Sequence, residues 1–145
     1  MLDRVRRLFA KWVDRADDAK LERRFGSSLA QWLIFKAMAQ RFNPDAGAGF
    51  QGQISYELKR PATGETPLRW TIQISGRRAR ARRGDSDDAT VKLRVALADF
   101  IRIGAGTIDP ATPVLQGSAS FQGDFGIAVR LPEMFGASRP RRAPD

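Results

Sequence analysis

The amino-acid sequence predicts an α+β fold, with helices first, strands in the middle, and short helices with one more strand at the end. Apolar residues recur every three or four positions up to about residue 42, which is the period of an amphipathic helix. Between residues 50 and 95 apolar and polar residues alternate, which is the period of a half-buried strand. A chain of 145 residues is long enough to bury a hydrophobic core as one domain.

Three helices are predicted before the first strand. Residues 2–16 form an amphipathic helix, and Asp17 or Asp18 caps a short helix that ends at Gly26. Ser28 then begins a helix that runs to about Phe42, with Gln31 in the capping-box position.

Four strands and three short helices are predicted in the remainder of the chain. Residues 50–58 and 68–74 alternate as the two arms of a hairpin, residues 77–83 form either a third strand or its loop, and residues 89–95 form another strand. Helices follow at residues 97–103, 109–115 and 125–131, with a strand at 117–122 between the last two. Pro132 is expected to kink or end the last helix, and residues 137–145 form a disordered Arg/Pro tail.

Composition excludes several classes of activity. The chain has no His and no Cys, so imidazole and thiolate metal sites, disulfides and Ser-His-Asp catalysis are excluded. Its carboxylates fall mostly at helix caps and turns, so we expect no enzyme activity, no metal and no cofactor. The sequence shows no signal peptide or membrane span, which predicts a soluble, cytoplasmic protein.

Basic residues are concentrated in one short segment, although the whole chain carries a net charge of +9. Residues 77–83 contain five arginines, and a strand there places Arg78, Arg80 and Arg82 on one face. They could bind an anionic membrane, at about 1 kcal/mol per charge, or simply protect an edge strand from aggregation. Nucleic acid is disfavoured, because a binder usually spreads its cations along a recognition face.

The N-terminal helix also has two interpretations. Phe9 and Trp12 could insert into a membrane surface, or the apolar face of the helix could pack on the domain. The last forty residues also have two interpretations. They contain more apolar side chains than one buried face of two short helices and a strand requires. The surplus could line a cavity, but periodicity alone favours an ordinary core.

The order of motifs in residues 29–136 resembles sterol carrier protein type 2 domains. The matching segments are Asp99-Phe100-Ile101-Arg102-Ile103-Gly104, then Asp109-Pro110 and Gln116-Gly117, then Phe121-Gln122-Gly123-Asp124 before the closing apolar helix. The resemblance implies a mostly antiparallel five-stranded sheet with helices on one face enclosing an apolar tunnel. It also favours the cavity over a filled core, with a lipid-binding lining formed by Phe100, Ile103, Leu115, Phe121, Phe125, Ile127, Ala128 and Leu131.

The resulting hypothesis is a lipid-binding domain at residues 29–136, preceded by an amphipathic helical extension at residues 1–28. It would bind a sterol, fatty acid or other apolar ligand without chemistry and transfer it between membranes. The segments proposed for membrane docking are Arg78, Arg80 and Arg82 together with Phe9 and Trp12. The alternative is an accessory module whose own side chains fill the core, and which contacts a partner protein or an anionic membrane through the N-terminal helix and the arginine segment.

Overall fold

The computed structural model describes residues 2–46 and 49–135, and the predicted tail at 137–145 lies outside them. The helices are α1 (Leu2–Arg15), α2 (Asp18–Phe25), α3 (Ser28–Gln40), α4 (Leu97–Ala105), α5 (Ala111–Leu115) and α6 (Phe125–Met134). The strands are β1 (Gly52–Arg60), β2 (Glu65–Ser75), β3 (Arg78–Arg83), β4 (Val91–Ala96) and β5 (Ser120–Gly123). The predicted α+β class is therefore confirmed, and the arginine segment is a strand.

The five strands form one sheet in the order β3-β2-β1-β4-β5. All neighbouring strands are antiparallel except β1 and β4, which confirms the mostly antiparallel five-stranded sheet. Because β4 is parallel to β1, the chain must cross the sheet after β3. It does so on one face, where the Thr71 hydroxyl donates to the Gly84 carbonyl at 2.8 Å and the side chains of Ser86 and Gln53 are hydrogen-bonded.

The two faces of the sheet differ in chemistry because the strands alternate. One face carries the core residues of β1, β2 and β4, and Phe35 of α3 packs on it with its ring stacked 4.8 Å from that of Trp70. The opposite face carries polar and charged residues, with Ser55 and Thr71 buried and hydrogen-bonded to each other in its centre. The core therefore lies between the sheet and the helices.

The start of α3 differs from the capping-box prediction. Ser27, one residue before the predicted start, caps the helix by accepting a hydrogen bond from the Ala30 amide at 3.2 Å. Gln31 is buried instead, where its side chain donates to the Gly26 carbonyl and accepts from the indole N–H of Trp70, at 2.9 and 2.8 Å. The amide of Gln31 thus satisfies two groups that would otherwise be buried without partners.

The first two helices pack against α4. Val13 is fully buried, and the Arg102 guanidinium forms an ion pair with the Asp18 carboxylate at 2.6 Å and donates to the Ala16 carbonyl at 3.3 Å. The predicted cap at Asp17 is confirmed, since its carboxylate accepts from the Lys20 amide at 2.8 Å. Among the described residues, no helix has both the length and the apolar character to cross a bilayer.

The last helix continues past Pro132, so of the two predicted outcomes, a kink or an end, the end is wrong. Pro132 lies inside α6, which extends to Met134, and the Phe135 amide donates to the Leu131 carbonyl at 3.1 Å. Proline removes one backbone donor, but the hydrogen bonds on either side of it are retained here. Burial of Leu131 and Met134 against the core holds this last turn in place.

Candidate functional site

A large cavity lies between the helices and the β1-β4-β5 half of the sheet. Its volume is about 1380 Å³, and its walls come from both layers of the fold and from the loop before α5. Arg41 and Asp109 are its only charged residues among those described, and the rest of the lining is almost entirely apolar. Such a space favours an apolar ligand, because burying hydrocarbon there removes it from water at little cost to polar groups.

Seven of the eight residues predicted to bind lipid line this cavity. They are Phe100, Ile103, Leu115, Phe121, Phe125, Ala128 and Leu131. The eighth, Ile127, does not line the cavity; it is partly buried and packs against the core. It is adjacent in sequence to Ala128 but points about 100° away around the helix, so the two side chains have different neighbours.

Several lining residues were not among those predicted to bind lipid, and one of them, Phe9, was predicted to dock on a membrane. Phe9 and Phe25 reach the cavity from α1 and α2, and Ile34 and Met38 reach it from α3. The strands add Tyr56, Leu93 and Val95. Alternation and helical period marked most of these side chains as apolar-facing, but neither pattern distinguishes a residue that faces a cavity from one in a filled core.

Tyr56 contributes a polar atom to this apolar wall. The side chain is buried, its ring meets those of Phe35 and Phe100 at 5.6 and 5.7 Å, and burial raises the pKa of its hydroxyl above the ordinary value. Tyr56 also lines the cavity. A tyrosine hydroxyl can both donate and accept a hydrogen bond, so Tyr56 is suited to a polar group of a bound molecule.

The cavity opens to solvent through a rim of exposed apolar side chains. They are Phe9, Val114, Leu115, Phe125 and Val129, with exposures from 42% to 85%. These residues come from α1, α5 and α6 and belong both to the lining and to the surface. A cluster of this kind is typical of a surface that meets another apolar phase or molecule.

The residues predicted to dock on a membrane are not together in the structure. Arg78, Arg80 and Arg82 lie on the edge strand β3 and face away from the helices, whereas Phe9 of α1 lines the cavity. Trp12 is partly buried in an aromatic cluster, with its ring 6.5 Å from that of Phe9 and 6.0 Å from that of Phe25. The arginines and Phe9 therefore lie on different elements, and of these residues only Phe9 lines the cavity.

The polar face of the sheet holds a carboxylate between two arginines. Glu57 accepts hydrogen bonds from Arg94 at 2.6 Å and from Arg69 at 3.0 Å. Desolvation raises the pKa of Glu57, but the hydrogen bonds and positive charges of Arg94 and Arg69 outweigh it and hold that pKa below the ordinary value. Among the described residues, no three carboxylates lie together in a way that would hold a metal ion.

Most of this chain is similar to known proteins in sequence and in fold. The chain is 27% identical over 103 residues to hydroxysteroid dehydrogenase-like protein 2 of Xenopus laevis, a match that covers 70% of this chain and 24% of that protein. The fold resembles the sterol carrier protein domain 2 of Helicoverpa armigera, with a TM-score of 0.60, 15% identity and coverage of 81% of this chain and 92% of that one.

A second solved structure with this fold is the stereoselective inverting sec-alkylsulfatase from Pseudomonas sp., with a TM-score of 0.58 and 19% identity. The match covers 78% of this chain but 17% of the sulfatase, so the chain spans about a fifth of the length of such multidomain relatives. The model of the SCP-2 sterol transfer family matches residues 35–136, which include β1 to β5 and most of the cavity lining. This chain therefore belongs to the SCP-2 sterol transfer family.

Proposed function

We propose that this protein is a non-enzymatic lipid carrier that holds one lipid in the cavity and exchanges it with membranes. The observation that supports the proposal most directly is the cavity itself. Its volume of about 1380 Å³ exceeds the roughly 300–1,000 Å³ typical of small-molecule sites. Membership of the SCP-2 sterol transfer family supports lipid binding or transfer as the general activity.

The apolar lining supplies the binding energy in this proposal. Each methylene group transferred from water into the cavity contributes about 0.8 kcal/mol. A long acyl chain or a sterol ring system gains enough from burial to offset the loss of translational and rotational freedom. Specificity then depends on the shape of the cavity and on a few polar groups.

Two polar groups indicate that the ligand has one polar end. The Tyr56 hydroxyl lies on the sheet side of the cavity, and Arg41 follows the last turn of α3 at the cavity wall. A ligand hydroxyl bound at Tyr56 would form a hydrogen bond with the phenol at the cavity wall. Replacing Tyr56 by phenylalanine should weaken binding of cholesterol and leave binding of the matching hydrocarbon unchanged.

The exposed rim is proposed as the surface through which the lipid enters and leaves. Phe9 of α1 and Phe125 of α6 both line the cavity, and both are exposed. Insertion of these side chains into the outer layer of a bilayer would place the mouth against the lipid, so that the ligand need not cross water.

Mass spectrometry of the purified full chain, first native and then denatured, tests the proposal. A lipid present at one per chain and released on denaturation, or one-to-one uptake of added palmitic acid or cholesterol, is expected. Absence of any bound lipid together with no uptake would overturn the proposal and favour the accessory module.

A matched pair of variants locates the site. Val129 and Leu33 are both exposed aliphatic residues on helices, at 56% and 53%, but only Val129 lines the cavity. Val129→Asp should reduce lipid uptake, because it places a charge at the mouth, whereas Leu33→Asp should not. Equal uptake by the two variants would contradict the assignment of the cavity as the lipid site.

A further inference from the structure

The edge strand β3 has an unpaired backbone edge. Its inner edge pairs with β2, and the Gly84 amide continues this ladder by donating to the Arg69 carbonyl at 2.9 Å. Hydrogen-bonded and non-hydrogen-bonded positions alternate in an antiparallel pair. The backbone groups of Arg82 and Arg80 therefore also form their hydrogen bonds with β2. The amide and carbonyl groups of Ala81 and Ala79 therefore point outward, where no described residue pairs with them.

The two faces of this edge have different chemistry. Arg78 and Arg80 are exposed on the face opposite the helices, and neither forms an ion pair with a described residue. Ala79 and Ala81 are on the helix-side face, at the base of a groove of about 600 Å³ between β3 and α3. The aromatic part of the groove lining is formed by Trp32, Phe42 and Trp70, and Lys36, Arg77, Arg78 and Arg80 add positive charge to its border.

We infer that the β3 edge is a docking site for an extended segment of a partner protein in which acidic and apolar residues alternate. A strand added beside β3 would form main-chain hydrogen bonds with the outward groups of Ala79 and Ala81. Its side chains would alternate between the two faces of the extended sheet. Its carboxylates would meet Arg78 and Arg80, and its apolar side chains would enter the groove, where the two alanines leave room.

Charge argues against two other occupants of the same edge. A second copy of β3 would bring its own arginines against Arg78, Arg80 and Arg82, and like charges on neighbouring strands are destabilising. Residues 137–145 carry three arginines and one aspartate, so this segment of the same chain is also repelled. An acidic strand is complementary both to the charge and to the hydrogen-bonding groups of the edge.

Fluorescence anisotropy with the full chain tests this site. The probe is a labelled synthetic peptide that alternates glutamate and valine, and the controls are a peptide of the same composition with its glutamates grouped and an alternating peptide with N-methylated amides. We expect saturable one-to-one binding of the alternating peptide that weakens at high salt, and binding at least about tenfold weaker for both controls.

Three variants of the chain separate backbone pairing from charge. Ala81→Pro removes an outward amide but keeps the ladder to β2, and Arg80→Glu reverses one charge at the edge. Both should weaken binding of the alternating peptide about tenfold or more. Arg130→Glu, the same charge change at an exposed residue of α6, should have no effect.

Several results would overturn the inference. These are no binding of the alternating peptide, equal binding of the grouped peptide, or equal effects of Arg80→Glu and Arg130→Glu. Circular dichroism shows whether Ala81→Pro folds. If it does not, the test is binding of the N-methylated peptide to the unmodified chain. Binding of that peptide as tight as that of the alternating peptide would contradict strand addition. Binding to vesicles of phosphatidylcholine and phosphatidylglycerol that depends on Arg80, without peptide binding, would identify the edge as a membrane contact instead.

Discussion

Replacing Phe100 by alanine tests whether the cavity is open space in the folded protein. The Phe100 ring is stacked 5.6 Å from that of Phe35 and meets that of Tyr56 edge-on at 5.7 Å, while the residue also lines the cavity. On the cavity side it has no packing partner to lose. The expected loss is therefore close to that of two ring pairs at about 0.5–1.5 kcal/mol each, or about 1–3 kcal/mol.

Phe35 is the matched control, because it is fully buried and its ring contacts those of Tyr56, Trp70 and Phe100. Phe35→Ala removes side-chain atoms from a packed site and leaves a new void, which costs about 3–5 kcal/mol. We therefore expect Phe35→Ala to destabilise the protein by about 2 kcal/mol more than Phe100→Ala.

Urea unfolding of the delipidated proteins, followed by tryptophan fluorescence and circular dichroism, measures this difference. The comparison of midpoints is valid when the dependence on denaturant concentration is the same for both variants. If Phe100→Ala costs as much as Phe35→Ala, then Phe100 belongs to a filled core and the argument for an open cavity fails.

Further expectations concern the ligand and the stability of the fold. Affinity for saturated fatty acids should rise about fourfold per added methylene, as measured by displacement of a fluorescent fatty acid. An affinity that does not depend on chain length would contradict binding in the apolar cavity. Arg41→Ala should weaken binding of a fatty acid about two- to fivefold at low salt but not binding of the corresponding alcohol, and an equal effect on both would exclude a charge contact. Glu22→Gln should destabilise the protein by about 1–3 kcal/mol in urea unfolding, because the buried carboxylate accepts hydrogen bonds from the amides of Ala62 and Thr63, and an amide NH₂ cannot replace both oxygens. A Glu22→Gln variant as stable as the unmodified chain would show that this contact is dispensable. Because the pKa of Glu57 is lowered in the folded state, its ionised carboxylate stabilises the fold above pH 4.5, and this contribution is lost as pH falls through the folded-state pKa. Glu57→Gln should therefore reduce the loss of stability at acidic pH, measured by urea unfolding at a series of pH values. An unchanged pH dependence would contradict a stabilising role of the arginine contacts.

Local features of the sequence predicted the identity and order of the elements. The change of apolar period near residue 50 separated helices from strands, and the carboxylates of Asp17 and Asp124 cap α2 and α6 as expected. These predictions succeed because periodicity and capping depend on residues a few positions apart. The order of motifs after residue 99 extended them to a family and to seven of the residues that line the cavity.

Where local patterns allowed two outcomes, contacts between distant segments decided. Residues 78–83 are a strand because they pair with β2, and Gln31 is buried because Trp70 lies across from it, 39 positions away in the chain. The placement of Arg80 far from the cavity rim likewise follows from strand order. No short-range pattern contains this information.

The cavity shows the same division between sequence and tertiary structure. The sequence by itself determined that several helices and strands have an apolar face, and such a face must be buried away from water. It did not determine whether those faces meet, because a filled core and a cavity lining have the same periodicity. The tertiary structure decided that: the helices and the β1-β4-β5 half of the sheet leave about 1380 Å³ between them. Close packing depends on the distance between whole elements, which no single element encodes.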